Sequence, residues 1–187
     1  MIGQAPTAVR PELLARRQAT RDDPLTADQR RLNMSRIQGR DTEPEMIIRR
    51  GLYARGLRYR LHDRSLSGTP DLVFPSARTV VFVHGCFWHG HDCALGVQPR
   101  SNAAFWQAKI ARNQQRDGQA IDALISSGWR VATVWECALR GRGRLPPDSV
   151  LEALIHFIRP ERHLQSVEIT NNVELWGLNR PPHDDGL

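Results

Sequence analysis

Lysine is almost missing from this 187-residue chain: 25 of its 26 basic residues are arginine, and Lys109 stands alone. Cysteine is scarce as well, with only Cys86, Cys93 and Cys137. Three thiols cannot close a disulfide framework, so a reducing compartment, the cytoplasm, is the expected setting. No apolar run approaches the roughly 20 residues that a membrane-spanning helix needs, which argues against a helical membrane protein. Residues 1–25 carry Arg10, Arg16, Arg17 and Arg21 without a hydrophobic stretch, so they do not read as a secretory signal. No internal repeat is visible.

What is present is enough chain for one domain with a real core and some loose ends. Its formal net charge is +6. Residues 1–60 hold 13 arginines against 7 acidic residues, while residues 61–187 hold 13 basic and 13 acidic ones. The positive excess therefore sits in the first third. A concentrated basic segment suits a polyanion such as DNA, because neutralising phosphates releases condensed counterions. An arginine bias alone is also what a GC-rich genome produces.

Residues 1–25, with Pro6, Pro11 and Pro24 among scattered charges, read as a flexible basic tail. Thr26 and Gln29 have capping-box spacing and predict a short helix to about Ile37. Thr42 and Glu45 repeat that spacing, with Pro44 in the first turn, and predict a helix to Arg55 stopped by Gly56. Strands are expected at Leu57–Leu61, at Asp71–Phe74 after a Ser67–Pro70 turn, and at Thr79–His84, whose β-branched run suits a central position. A long helix is predicted from Ser101 to Ser127, ended by Gly128 and weakened by Gly118. Its expected inner stripe is Phe105, Ala108, Ile121, Leu124 and Ile125. Trp129–Trp135 reads as a strand and Pro147–Ile158 as a helix. Residues 161–187 read as a polar tail with no assigned element, which leaves 26–160 as the folded domain. This order implies an α/β fold, a mixed sheet flanked by helices.

Chemistry concentrates in Val83-His84-Gly85-Cys86-Phe87-Trp88-His89-Gly90-His91-Asp92-Cys93. Structural zinc takes four Cys or His ligands tetrahedrally. Cys86, His91 and Cys93 supply three from one loop. Cys137 follows the Trp129–Trp135 strand and completes a Cys3His set if that strand lies beside Thr79–His84. The plainer alternative is three unrelated buried thiols with surface histidines. A closed site leaves His84 and His89 free for general-base or phosphate-binding work near neutral pH, unless His84 is simply packed at its strand end. Asp71, after Pro70 at the head of an apolar strand, is a carboxylate that can hold Mg2+.

Four segments taken together resemble the very short patch repair (Vsr) endonucleases: Gly68-Thr69-Pro70-Asp71, His84-Gly85-Cys86-Phe87-Trp88-His89, Phe105-Trp106 and Trp135-Glu136-Cys137-Ala138-Leu139-Arg140-Gly141. The resemblance covers roughly residues 27–160. It implies a PD-(D/E)xK, restriction-endonuclease-like fold with an added structural zinc. The implied activity is a nick on the 5′ side of the mispaired thymine in a T·G mismatch left by 5-methylcytosine deamination, typically in CT(A/T)GG contexts.

Carried over by motif, Asp71 is a Mg2+ ligand, Glu45 and His84 assist, and His89 is the general base. Cys86, His91, Cys93 and Cys137 match the zinc ligands. Phe87 and Trp88 match an aromatic wedge inserted beside the mismatch, and Met34 matches a second wedge. Such insertion costs unstacking energy, which a mispaired step lowers. Arg30, Arg31 and Arg36 are expected on phosphates. The implied setting is a nucleoid-associated monomer acting on double-stranded DNA alongside general mismatch-repair proteins.

The chain also departs from the wider nuclease pattern. Neither the Glu nor the Lys usual on the strand after Pro-Asp occurs in Thr79–His84. Lys109, on the long helix, is not expected to stand in. Val83 occupies a position where the family often has Thr, so a contribution there to Mg2+ comes from its backbone carbonyl. Two other readings remain at this point: a PD-(D/E)xK nuclease with another target, and a zinc-stabilised DNA-binding module without catalysis.

Overall fold

A computed structural model describes residues 39–159 and 164–171, together with Thr26, Gln29 and Leu32. The Thr26–Gln29 capping box forms in both directions: each backbone N–H donates to the other's side chain, at 2.9 and 3.2 Å.

Helix α1 spans Glu43–Ala54. Thr42 caps it by accepting the Glu45 N–H at 3.4 Å, and Pro44 sits in the first turn, where its missing N–H costs nothing. Only this half of the expected capping box is seen, because the Glu45 carboxylate turns inward to other partners. Gly56, at φ +84°, ends the helix, and the Leu57 N–H reaches back to the Leu52 carbonyl.

Strands β1 (Arg60–Leu61), β2 (Leu72–Phe74) and β3 (Thr79–His84) follow. Helix α2 (Ala103–Ser126) then crosses to β4 (Arg130–Trp135), which runs straight into the short α3 (Glu136–Leu139). Helix α4 (Pro147–Ile158) leads to β5 (Ser166–Ile169). The strands lie side by side in chain order, β1–β2–β3 antiparallel and β3–β4–β5 parallel. The mixed sheet is as expected. The first two strands are shorter than the sequence suggests, and α3 and β5 were not anticipated. Four residues of Ser-Val-Glu-Ile give too little alternation to stand out in a polar segment, so the sheet extends beyond residue 160.

Alternation along the strands makes two cores. Leu72, Phe74, Val81, Ala132 and Val134 face α1 and α4, while Val73, Val80, Phe82 and Val131 face the C-terminal half of α2. Gly51 lets α1 and α4 approach, since a Cβ there would lie 2.3 Å from a Leu151 methyl. The inner stripe of α2 differs from expectation. Leu124 is buried and Ile121 and Ile125 pack against the core, but Phe105 is 55% exposed and Ala108 is also exposed. The reason is length: 24 residues span roughly 36 Å of helix, against roughly 20 Å for the six-residue strands. The N-terminal half of α2 therefore overhangs the carboxyl ends of β3 and β4, where open α/β sheets place their sites. Gly118 meets nothing within 4 Å and does not interrupt the helix.

Candidate active site and metal centre

Six register pairs join β3 to β4, ending at His84 opposite Trp135. That pairing brings the loop after β3 against α3, and the four metal-type side chains meet there. The ligand atoms of Cys86, His91, Cys93 and Cys137 all lie within 4.8 Å of one another. Cys86 and Cys137 are buried, the Cys137 N–H donates to Cys86 Sγ at 3.3 Å, and Cys137 Sγ lies 3.5 Å from His91 Nδ1. Burial pushes both the Cys86 and Cys137 thiols up, a cost that a bound cation removes by taking them as thiolates. Four such donors in one cluster fit a closed structural metal site. The loop folds this tightly because Gly96 has no side chain: a Cβ there would sit 1.9 Å from the His91 carbonyl oxygen. His91 also stacks on Trp135, with ring centroids 4.3 Å apart.

Beside this centre, His84 stacks face to face on His89, with centroids 3.8 Å apart and planes at 5°. Burial, with His89 alongside, lowers the His84 pKa to about 3, so its ring is neutral. The Nδ1 of His89 lies 2.5 Å from Asp117 Oδ2. Burial alone would raise the Asp117 pKa, but the hydrogen bond and charge interaction with His89 hold it low. An ionised carboxylate only accepts, so His89 donates through Nδ1 and keeps Nε2 as its acceptor.

Asp71 lies just before β2. Its Oδ2 accepts the Val83 N–H at 2.7 Å, and burial, reinforced by the nearby Glu45 carboxylate, raises its pKa to about 6. Glu45 is buried beneath it, receiving Arg49 and approaching His62. Two adjoining cavities of about 460 and 400 Å³ share Val83, His84 and His89. Asp71 and Asp117 line the second, and Trp88, Lys109 and Arg140 line the first. Asp71, His84 and His89 thus line one cleft, while Glu45 lies behind Asp71, outside the lining of both cavities.

Helix α2 completes the site. Leu124 and Ala120 face the sheet, while further along the same stripe Asp117, Asn113, Ile110 and Trp106 face the metal loop. Asn113 donates to the Trp88 carbonyl at 2.8 Å and Gln114 to that of Gly90 at 3.2 Å. Phe87, Trp88 and Trp106 form an edge-to-face cluster with centroids 5.0–6.0 Å apart, half-buried at the mouth. Lys109 places its ammonium 5.3 Å from the Trp88 ring centroid. Its position on the long helix is expected to keep it from replacing the missing strand lysine; the overhang of α2 brings it to the wall of the cleft, against Trp88. Asp117, Asn113 and His62 escaped the sequence reading. The usable signal was the spacing 106-110-113-117-120-124, one helical face that changes from apolar to polar. Met34, Arg30, Arg31 and Arg36 lie outside the described residues.

The cleft holds a carboxylate and an oriented histidine beside a Cys/His cluster that could bind a metal, and comparison with known proteins supplies its class. The family model of the DNA mismatch endonuclease Vsr matches residues 22–95. The type II nicking enzyme V.XorIIP of Xanthomonas oryzae is 48% identical over 123 residues, 66% of this chain and 90% of the relative. The DNA mismatch endonuclease Vsr of Escherichia coli is 45% identical over 126 residues, 67% of this chain and 81% of that protein. The type II nicking enzyme V.NmeAIP of Neisseria meningitidis is 42% identical over 120 residues, 64% and 86% of the two chains. These matches define a DNA endonuclease. The chain belongs to the Vsr family of DNA mismatch endonucleases.

Proposed function

We propose that this endonuclease nicks one strand of duplex DNA on the 5′ side of the mispaired thymine in a T·G mismatch, the lesion left by 5-methylcytosine deamination. The observation that carries this reading is the convergence of Asp71, His84 and the Asp117-oriented His89 in a cleft whose mouth is an aromatic cluster. In this reading Asp71 and the Val83 carbonyl hold Mg2+, which supplies positive charge at the scissile phosphate. The donor set fits a hard cation: one Asp71 oxygen is taken by the Val83 N–H, and the other is left for a ligand.

His89 acts as general base. Asp117 anchors its Nδ1–H, so the free Nε2 takes the proton of the attacking water. His84, neutral and stacked on it, fixes the plane of the ring. Zinc on Cys86, His91, Cys93 and Cys137 braces the loop that carries His89. Phe87 and Trp88 enter the duplex beside the mismatch, together with Met34, while Arg30, Arg31 and Arg36 grip phosphates. General mismatch-repair proteins are expected downstream of the nick, and the enzyme works as a monomer in the cytoplasm at the nucleoid.

The test is a cleavage assay on T·G duplexes with varied flanks and on fully paired duplexes, with and without Mg2+. Mg2+-dependent nicking confined to the thymine strand is expected. Asp71→Ala should abolish the nick while mismatched DNA remains bound. Nicking within a few-fold of wild type in that variant, or equal cutting of paired DNA, refutes the assignment.

A further inference from the structure

His62 holds a position that the site as described leaves without a role. It follows the last residue of β1 and lies opposite Asp71, one step beyond the Leu61–Leu72 pair, with its N–H donating to the Asp71 carbonyl at 3.3 Å. Cross-strand partners present their side chains on one face. The backbone register therefore delivers the imidazole to Asp71. His62 adopts φ +47°, a left-handed conformation that Asp41, Thr69, Arg78 and Asn102 share.

Its two ring nitrogens meet different surroundings. Nε2 lies 3.3 Å from Oε1 of Glu45, which is only 2% exposed and also receives the Arg49 guanidinium. With Nε2 turned to the Glu45 carboxylate, Nδ1 is the ring nitrogen directed at Asp71. Nδ1 is 3.7 Å from Asp71 Oδ1. That is too long for a hydrogen bond. It is, however, within the separation, about 3–4 Å, of two donors that share one ion at about 2.0–2.2 Å each. A buried carboxylate orienting an imidazole whose other nitrogen stays free is how metal-binding histidines are held. Asp41, the other acid nearby, is engaged by Arg49.

We propose that His62 Nδ1 and the Asp71 carboxylate form one mixed nitrogen–oxygen metal site, with Glu45 orienting the imidazole instead of binding the ion. Such a site takes Mn2+ or another first-row transition ion in preference to Mg2+, because imidazole suits the borderline ions and Mg2+ selects oxygen. This inference rests on Asp71 as a metal ligand.

The test is Mn2+ titration and pulsed electron paramagnetic resonance on the zinc-loaded protein, with melting temperature measured in parallel. Wild type should show nitrogen coupling to Mn2+. His62→Ala should lose that coupling, weaken Mn2+ binding about tenfold and leave Mg2+ binding nearly unchanged. His89→Ala should keep the coupling. His62→Gln preserves a donor to Glu45 without an imidazole nitrogen, should lose the coupling equally, and decides the matter if the alanine variant does not fold. Full coupling in the His62 variants, or equal weakening of Mn2+ and Mg2+, overturns the proposal while Asp71 keeps its role. If Asp71→Ala binds Mn2+ as wild type does, or wild type binds none, both assignments fall together.

Discussion

At the scale of single residues, Asp71 shows how function is held against stability. Burial raises its pKa from the ordinary 3.8 to about 6, so the folded, metal-free protein binds this proton more tightly than the unfolded chain does. Between those two values stability falls as pH rises, and above pH 6 the whole penalty is present. Asp71→Asn keeps an acceptor for the Val83 N–H and removes the charge. The metal-free variant should therefore be more stable than wild type at pH 8 by about 1–3 kcal/mol, a gain that fades below pH 4. Thermal melts of both proteins in chelator across that range check it, and a variant that melts at or below wild type at pH 8 contradicts it. His84 runs the other way. Its depressed pKa gives stability that is complete above its ordinary 6.5 and is lost as pH falls toward 3, which is why the comparison isolates Asp71 by difference.

At the scale of elements, the loop between β3 and α2 is a small structure of its own, braced by the Cys/His cluster from below and by Asn113 and Gln114 of α2 from above. With zinc held there as proposed, Cys137→Ser should lose the metal, melt earlier and lose nicking together, because a structural metal supplies folding free energy and would also position His89. Zinc retained at wild-type stoichiometry sinks the four-ligand assignment. Trp88 tests the aromatic end of the same loop. It touches Phe87 and Trp106 but is not enclosed, so Trp88→Ala should weaken T·G binding by about 1–3 kcal/mol while leaving paired-DNA affinity and melting nearly unchanged. Equal losses on both DNAs with a large drop in melting temperature make it a packing residue instead. The cluster shows how far local sequence reaches. Cys86, His91 and Cys93 were legible because they share one loop, and Cys137 because strand pairing could be foreseen. The first half of α2 was misread, because an overhanging helix has no sheet beneath it and its inward face carries Asp117 and Asn113 where an apolar stripe was sought.

At the scale of the whole molecule, the excess of arginine in residues 1–60 and the net charge of +6 are what the proposed phosphate-directed part of DNA binding rests on. Affinity for paired duplex should fall steeply between 50 and 200 mM salt, whereas the ratio of T·G to paired affinity should hardly move. A ratio that collapses with salt places mismatch selectivity in charge contacts and not in the aromatic wedge. Among the described residues no helix is long and apolar enough to cross a membrane. By itself the sequence determined the α/β order of elements, the metal-type cysteines and histidines, and the family. Each of these is written in local periodicity or in motifs a few residues long. Tertiary structure alone decided that His62 faces Asp71 and Glu45, that Asp117 orients His89, and that Lys109 reaches the wall of the cleft. Those pairings join residues 9 to 28 positions apart through strand register and helix overhang, and no local pattern encodes the path by which a chain returns to meet itself.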